Sequence, residues 1–362
     1  MKRRNLIFVG FACNAVFASS CLAGDQQATG VMGASTLDLI VTHGDAQSLK
    51  DKSTLKSLVS PLLKQHKYAE LDKLAESIRS AHIHYPDGRN KLELFYDGLE
   101  IPKAASEADW NNYFTDLKEW MKQSPESITA PAALVSAWTS YAWKARGGGY
   151  SDSVKEHQWQ DFSARLKQGH QILDQAKAMN SVCPHLYVGG QTVALGESWE
   201  RPEYDKLYTE AITKFPDYYE NYFRKTYYLQ PRWDGGATEW ADFAEKEADK
   251  VGGVNGDKLY ALLTWYVDHL HFYHNLFTDF PNLKWARVQK GMEAIIKEYP
   301  NNNYVLNEYC LLAYQASKKV LAKKLITQIG NNVDVSIWTK KANFLQAKSE
   351  ILSNPGMSNI NK

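Results

Sequence analysis

The sequence has few cysteines and no long apolar run in its main part. Only 4 of its 362 residues are Cys, and no pair has the Cys-x-x-Cys spacing of a redox or zinc site. Two of them, Cys183 and Cys310, lie in the predicted folded part. We expect both to be unpaired, buried side chains, with a disulfide between them as the alternative. No stretch reaches the ~18 consecutive apolar residues of a membrane-spanning helix, so a disulfide-rich scaffold and a membrane-spanning protein are both disfavoured.

An excess of one charge is also missing. The chain carries 42 Lys and Arg side chains against 41 Asp and Glu. The first 23 residues hold three of the basic side chains and none of the acidic ones, which leaves 42 − 3 = 39 against 41 and a formal charge of −2. This balance removes the electrostatic case for nucleic acids or anionic membranes as partners.

The N-terminus has the pattern of a secretory signal. The basic residues Lys2 to Arg4 precede an apolar run that ends at Phe17, and small residues follow. The pattern predicts a signal peptide over residues 1–23, a flexible leader over residues 24–34 and an exported, periplasmic protein. The residues before Cys21 also resemble a lipoprotein box, although Ala stands where Leu is usual. Acylation of Cys21, with a lipid tether to the membrane, is therefore the alternative to a soluble N-terminus.

Sustained two-residue alternation is missing as well, whereas helical spacing recurs along the whole chain. Apolar residues return at intervals of three and four, for example from Tyr68 to Ile78 and from Leu259 to Leu270. Ser106 and Asp109 have the spacing of a capping box, which marks a helix start. These patterns predict an all-α fold.

A joint of similar composition recurs between the predicted helices. An alanine, a short interval, a proline and an aromatic-rich helix follow one another around Pro184, Pro216 and Pro300. This order is similar to the junction between tetratricopeptide repeats, in which proline ends one helix and an aromatic ring packs into the next groove. The intervals are uneven, 32 and then 84 residues. We therefore predict an irregular stack of antiparallel helix pairs, a tetratricopeptide-like α-solenoid, over residues 35–352 and a disordered tail over residues 353–362.

Two segments rich in Arg, Gly and aromatic residues, Trp143–Tyr150 and Leu229–Gly235, resemble parts of an uncharacterised bacterial family, domain-of-unknown-function family 4034. The resemblance covers about residues 105–250 and is weak over residues 255–352. It implies helical-repeat architecture of the tetratricopeptide type. It implies no reaction, because the family has no assigned activity.

The same two segments supply the candidate binding residues. A guanidinium group can bind a carboxylate through paired hydrogen bonds, and neighbouring rings can stack on a sugar or a side chain. A structural role, donation to the last carbonyls of its own helix, is the alternative for Arg146. The candidates are Arg146, Trp143, Tyr150, Arg232, Trp233 and Trp159.

Motifs for catalysis and for cofactors are scarce. On a helix, His271 and His274 would share a face and form a weak candidate for a metal site, whereas the simpler interpretation is a polar flank of a buried helix. We find no phosphate-binding loop and no nucleophile elbow, and we expect no cofactor. Four acids near aromatic segments are the first candidates for a glycosidase pair: Asp109, Asp152, Asp234 and Asp242.

The sequence therefore favours a non-enzymatic binding module of the cell envelope. A stack of helix pairs leaves one extended surface for a protein or peptide partner and requires no catalytic group. Neutralisation of a toxin and assembly of the envelope are two roles that fit this interpretation. The alternative is a carbohydrate-active enzyme on an α/α toroid.

Overall fold

The computed structural model describes residues 39–102 and 104–353. The predicted signal peptide, the leader, Cys21 with its predicted acylation, and residues 354–362 of the predicted tail lie outside the described residues. Of the described residues, 72% are helical, and they form 17 α-helices, one 3-10 turn and two strands of three residues. The predicted all-α helical-repeat fold is confirmed.

The first half begins with a short strand and alternates helices of different lengths. Its elements are β1 (Ile40–Thr42), α1 (Ala46–Lys64), α2 (Tyr68–Ala81), α3 (Lys91–Leu99), α4 (Glu107–Gln123), α5 (Thr129–Arg146), the 3-10 turn (Ser151–Ser153), α6 (Glu156–Lys177), α7 (Pro184–Gly196) and α8 (Arg201–Lys214). The second half consists of α9 (Glu220–Tyr228), α10 (Glu239–Val251), α11 (Gly253–Asp268), α12 (Leu276–Asp279), α13 (Trp285–Glu298), α14 (Asn303–Gln315), α15 (Lys319–Ile329), β2 (Asn332–Asp334), α16 (Val335–Trp338) and α17 (Lys341–Leu352).

The helix ends follow local signals. At the start of α4 the Ser106 hydroxyl accepts a hydrogen bond from the Asp109 amide at 3.1 Å, and the Asp109 carboxylate accepts one from the Ser106 amide at 3.0 Å. This is the predicted capping box. Helix α7 begins at Pro184, and α8 and α13 end shortly before Pro216 and Pro300. Proline has no amide hydrogen for the helical ladder, so it suits a first turn or the residue after a last turn.

The helices form two layers. Helices α5, α7, α9 and α11 contact one another in succession, and α6, α8 and α10 each pack against two of them from outside. Most residues of the first set are buried, whereas α6, α8 and α10 bury one stripe each. A helix covered on most sides lies in the interior of a protein. We call α5, α7, α9 and α11 the inner layer.

Much of the aromatic content packs in the interior of the protein. Trp110, Trp120, Trp240 and Trp265 are fully buried, which accounts for four of the 11 Trp residues of the chain. Both Cys183 and Cys310 are buried and unpaired, as expected. None of the helices in the described ranges is both long and apolar enough to cross a membrane.

The two strands join the ends of the described chain. Strand β1 pairs in parallel with β2, with Val41 opposite Val333. The buried Asp334 carboxylate accepts hydrogen bonds from the Gly44 amide at 2.8 Å and from the Thr42 hydroxyl at 2.9 Å. These contacts connect residues almost 300 positions apart, since Gly44 and Asp334 are separated by 290 residues.

The loop over residues 82–90, between α2 and α3, lies against helices that come much later in the chain. The Tyr299 hydroxyl donates to the His84 carbonyl at 3.1 Å. Gly88 has a φ of +84°, and a Cβ added there would lie 3.0 Å from a methyl group of Leu262 and 3.1 Å from Phe223. The loop therefore packs against α9 and α11 at a position that accommodates only glycine without strain.

Candidate functional site

The two Arg-bearing segments lie side by side in the structure. The first begins in the last turn of α5 and the second follows α9, and both helices belong to the inner layer. The rings of Trp143 and Trp233 meet edge to face with their centroids 6.2 Å apart. We call the surface formed by Trp143, Arg146, Tyr150, Trp159, Arg232 and Trp233 the aromatic–arginine end.

Arg146 forms the buried base of this surface. Its side chain is only 2% exposed, and its Nη1 donates to the carbonyls of Gly147 and Gly149 at 3.2 and 3.1 Å. Its guanidinium carbon lies 5.7 Å from the centre of the Trp143 ring and 5.1 Å from that of Trp159. Arg146 therefore holds the glycine loop after α5 in place, which is the structural role that the sequence left open.

The charge of Arg146 is stabilised by dipoles and rings. Burial lowers the pKa of Arg146 to about 10, while the nearby Tyr227 hydroxyl opposes this shift. The guanidinium group is still protonated at neutral pH. The carbonyl end of a helix favours a positive charge, and so do the faces of the two Trp rings.

Arg232 lies in the turn after α9 and is partly exposed. Its guanidinium carbon is 3.4 Å from the centre of the Phe272 ring, so the planar group stacks on that ring. The Arg232 Nη1 atom is shielded from solvent and has no hydrogen-bond acceptor among the residues that the structure describes. The remainder of the Arg232 side chain is partly exposed and can meet a carboxylate or a carbonyl group of a partner.

The remaining two members form the outer side of the surface. Trp159 comes from α6, is partly exposed and meets Phe162 edge to face at 5.8 Å. Tyr150 stands just before the 3-10 turn and is 49% exposed. The structure thus brings five of the six predicted residues into one connected cluster of rings and guanidinium groups, with Tyr150 at its exposed edge.

The predicted helical arrangement of His271 and His274 is wrong. Helix α11 ends at Asp268, and His271 has a φ of +51°, in the left-handed region. After Asp268 the chain leaves the helix and forms a turn that leads to α12. Both side chains are exposed, and in the described ranges no group of three or more His, Cys, Asp or Glu side chains could hold a metal ion.

The four acids considered for a glycosidase pair lie on separate elements. Asp109 caps α4, and Asp152 is exposed in the 3-10 turn. Asp234 accepts from the Tyr228 hydroxyl at 2.5 Å, and Asp242 accepts from the Asn282 amide at 2.6 Å. Three of these carboxylates therefore stabilise local structure.

A serine, a histidine and a glutamate are hydrogen-bonded in line between α5, α7 and α3. The Ser136 Oγ lies 2.9 Å from Nε2 of His185, whose Nδ1 lies 2.8 Å from Glu93. Although burial raises it, the contact with His185 brings the pKa of Glu93 down to about 2. The order of atoms is that of acyl-transfer triads. Ser136 lies inside α5, however, so the neighbouring amides donate within the helix and offer no oxyanion hole.

A second group of titratable side chains lies between α11 and α14. Glu308 is fully buried, and its two carboxyl oxygens have no hydrogen-bond donor in the part of the chain that the structure describes. Nε2 of His269 lies 3.6 Å from the Glu308 carboxyl group. The Gln315 amide donates to Asp268 at 2.7 Å. We call Asp268, His269 and Glu308 the acid–histidine cluster.

Burial shifts the pKa of each member of this cluster toward its neutral form. The pKa of Asp268 rises to about 6 and that of His269 falls to about 4. Burial raises the pKa of Glu308 well above its ordinary value, and the negative charges of Asp268 and Asp334 add to this effect. Uncharged groups avoid most of the cost of leaving water.

Neither the Ser136–His185–Glu93 line nor the acid–histidine cluster was predicted from the sequence. One signal was present: Glu308 lies four residues after Tyr304 and four before Leu312, in the middle of an apolar stripe. An acid at such a position is buried by its neighbours. The approach of His185 to Ser136 had no local signal, because the two residues belong to different helices.

Comparison with known proteins finds a family model that matches about a third of the chain. Residues 56–182 match the model of a family described as a domain of unknown function (DUF4034). The match runs from α1 to the residue before Cys183, so it starts earlier than the resemblance at about residue 105. It contains the first Arg-bearing segment and ends before the second. No curated protein and no solved structure matches the chain.

Proposed function

Residues 56–182 match a domain family of unknown function, so we propose a function from the sequence and the geometry. The protein acts in the cell envelope after export, as a non-enzymatic module that binds a protein or a peptide through the aromatic–arginine end. The observation that carries this proposal is the contact between Trp143 and Trp233, which joins two segments that are far apart in the sequence into one surface.

The chemistry of this surface favours a partner with an apolar or aromatic side chain next to a carboxylate. Exposed and half-exposed Trp and Tyr rings provide large contact areas with little loss of side-chain entropy. The Arg232 guanidinium, stacked on Phe272, can pair with a carboxylate through two hydrogen bonds. Aromatic residues and Arg are the residue types that contribute most to binding in protein interfaces.

Binding is favoured over a reaction by the surroundings of the candidate groups. The Ser136–His185–Glu93 line lacks oxyanion donors, which usually supply the largest single contribution to acyl transfer. Three of the four acids considered for sugar cleavage already accept hydrogen bonds from other residues. Toxin neutralisation and envelope assembly both fit a binding role, and the identity of the partner would distinguish them.

A panel of short peptides tests the surface directly. One peptide carries an aromatic residue beside Asp or Glu, and its matched control carries Asn or Gln instead. We expect saturable binding of the acidic peptide, followed by Trp fluorescence. The Arg232→Gln variant should bind the two peptides equally, a loss of about tenfold for the acidic one. Lys122→Gln removes a cation from α4, where its side chain is 80% exposed, and should change nothing.

Two results would contradict this assignment. One is equal binding of the acidic and amide peptides by the wild-type protein. The other is a preference that survives in Arg232→Gln while the melting temperature is unchanged. Export is tested separately by fractionating cells and sequencing the N-terminus of the protein. We expect a periplasmic chain that lacks residues 1–23, and a full-length chain in the cytoplasm would refute the export prediction.

A further inference from the structure

The exposed face of α15 carries positive charge without acidic neighbours. The helix buries Ala322, Leu325, Ile326 and Ile329 and exposes Lys319, Lys323 and Lys324 together with Val320. Val320 is 89% exposed, the largest exposure among the apolar side chains that the structure describes as exposed. The basic face of α15 thus carries an apolar side chain among its lysines.

The positions on the helix place these side chains on one face. Successive residues of an α-helix are rotated by about 100°. Lys319 and Lys323 therefore lie on one side of Val320, and Lys324 lies on the other side. The four residues cover about 140° of the helix surface. We call this surface the lysine face.

The lysines of this face are not neutralised by the protein. Several lysines elsewhere pair with an acid, as Lys52 does with Asp97 at 3.2 Å. No ion pair joins the three lysines of the lysine face to any residue that the structure describes. Residues 316–349 contain seven Lys and a single acid, Asp334, which is buried and bonded to Gly44. The near-zero net charge of the chain thus conceals a strongly basic region.

We infer that the lysine face binds an anionic lipid bilayer, with the three lysines at the headgroups and Val320 at the boundary of the acyl chains. A helix that lies in the membrane interface combines basic side chains with an apolar one on its exposed side, as α15 does. This inference is independent of the aromatic–arginine end. It also revises the expectation from net charge that anionic membranes are not partners.

A lipid surface fits the lysine face better than a nucleic acid does. Residues 316–349 contain no Arg, and Arg provides the paired hydrogen bonds to phosphates and to base edges that dominate nucleic-acid recognition. The only apolar side chain at the centre of the face is a short aliphatic one, whereas single-stranded nucleic acids are bound by stacking on aromatic rings. Lysine and valine together suit a headgroup region and the hydrocarbon beneath it.

Vesicle sedimentation tests the inference. The chain that follows the predicted signal peptide is mixed with vesicles of phosphatidylcholine, with or without phosphatidylglycerol. We expect binding only to the vesicles with phosphatidylglycerol, and loss of that binding at about 1 M salt, where charges are screened within about 3 Å. Each lysine at an anionic surface strengthens binding about fivefold, so replacing Lys319, Lys323 and Lys324 by Gln should weaken it about a hundredfold.

Two further variants make the test specific. Replacing Lys50, Lys56 and Lys64 by Gln removes the same charge from exposed positions of α1 and should leave binding unchanged. Val320→Ser should weaken binding about tenfold, because it removes one apolar side chain from the boundary. Circular dichroism and the melting temperature check that each variant folds.

The inference is overturned by any of three outcomes. These are equal binding to vesicles without phosphatidylglycerol, equal loss of binding in the α1 variant, and displacement of the vesicles by a DNA duplex that binds more tightly to the same face. The peptide panel uses a different surface, so its result neither supports nor weakens this one.

Discussion

The ionisations of Asp268 and His269 should have opposite effects on how stability depends on pH. The two effects should nearly cancel in the wild-type protein and become visible in single variants. The pKa of Asp268 is about 6 in the folded chain against an ordinary value of 3.8. Between these values the folded protein holds a proton that the unfolded chain has released, so stability falls as the pH rises. The pKa of His269 is about 4 against an ordinary 6.5. Between these two pH values the unfolded chain holds the extra proton, so the free energy of unfolding rises with pH.

The two effects are of similar size. Each shift corresponds to about 3 kcal/mol, since a tenfold change in an ionisation equilibrium is about 1.4 kcal/mol. Asp268→Asn keeps the acceptor for Gln315 and should be as stable as the wild type near pH 3, and about 3 kcal/mol more stable at about pH 7. His269→Gln should show the reverse, a gain of about 3 kcal/mol at about pH 4 that disappears above about pH 6.5.

Urea denaturation followed by Trp fluorescence, repeated across this pH range, measures both differences. The contributions of other groups cancel because each variant is compared with the wild type at the same pH. Asp152→Asn, at an exposed carboxylate in the 3-10 turn, is the matched control. If the difference between Asp268→Asn and the wild type does not change between about pH 4 and pH 7, the pKa of Asp268 is not raised in the folded protein and the reasoning fails.

Three further predictions concern single contacts. Arg146→Ala should lower the free energy of unfolding by about 2 kcal/mol, because it removes the donor to the Gly149 carbonyl and the packing against two Trp rings. An unchanged melting temperature would contradict the structural role of Arg146. Asp334→Ala should cost about 3 kcal/mol in chemical denaturation, since the Gly44 amide loses its acceptor and β1 its anchor, whereas Asp334→Asn should cost less. Gly88→Ala should lower the free energy of unfolding by about 2 kcal/mol in the same assay, because of the positive φ and the contact with Leu262. Equal stability would show that the loop adjusts to the added methyl group.

The local elements of this protein could be predicted from its sequence. The apolar spacing of α2 and α11, the capping box at Ser106 and the proline joints around α7, α8 and α13 depend on interactions within a few residues. The prediction failed where that pattern was ambiguous. Aromatic and histidine residues continue past Asp268 with helical spacing, but the chain turns at His271 because it must reach α12.

Contacts between distant parts of the chain were decided only by the tertiary structure. The sequence singled out the two Arg-bearing segments, but the meeting of Trp143 and Trp233 depends on how α5 and α9 are placed within the inner layer. The closure of β1 on β2, the insertion of Gly88 beside Leu262 and the burial of Glu308 depend likewise on how the helix pairs stack. Small rotations between successive pairs accumulate along the array. Helical periodicity determines which face of each helix is apolar, and it contains no information about those rotations.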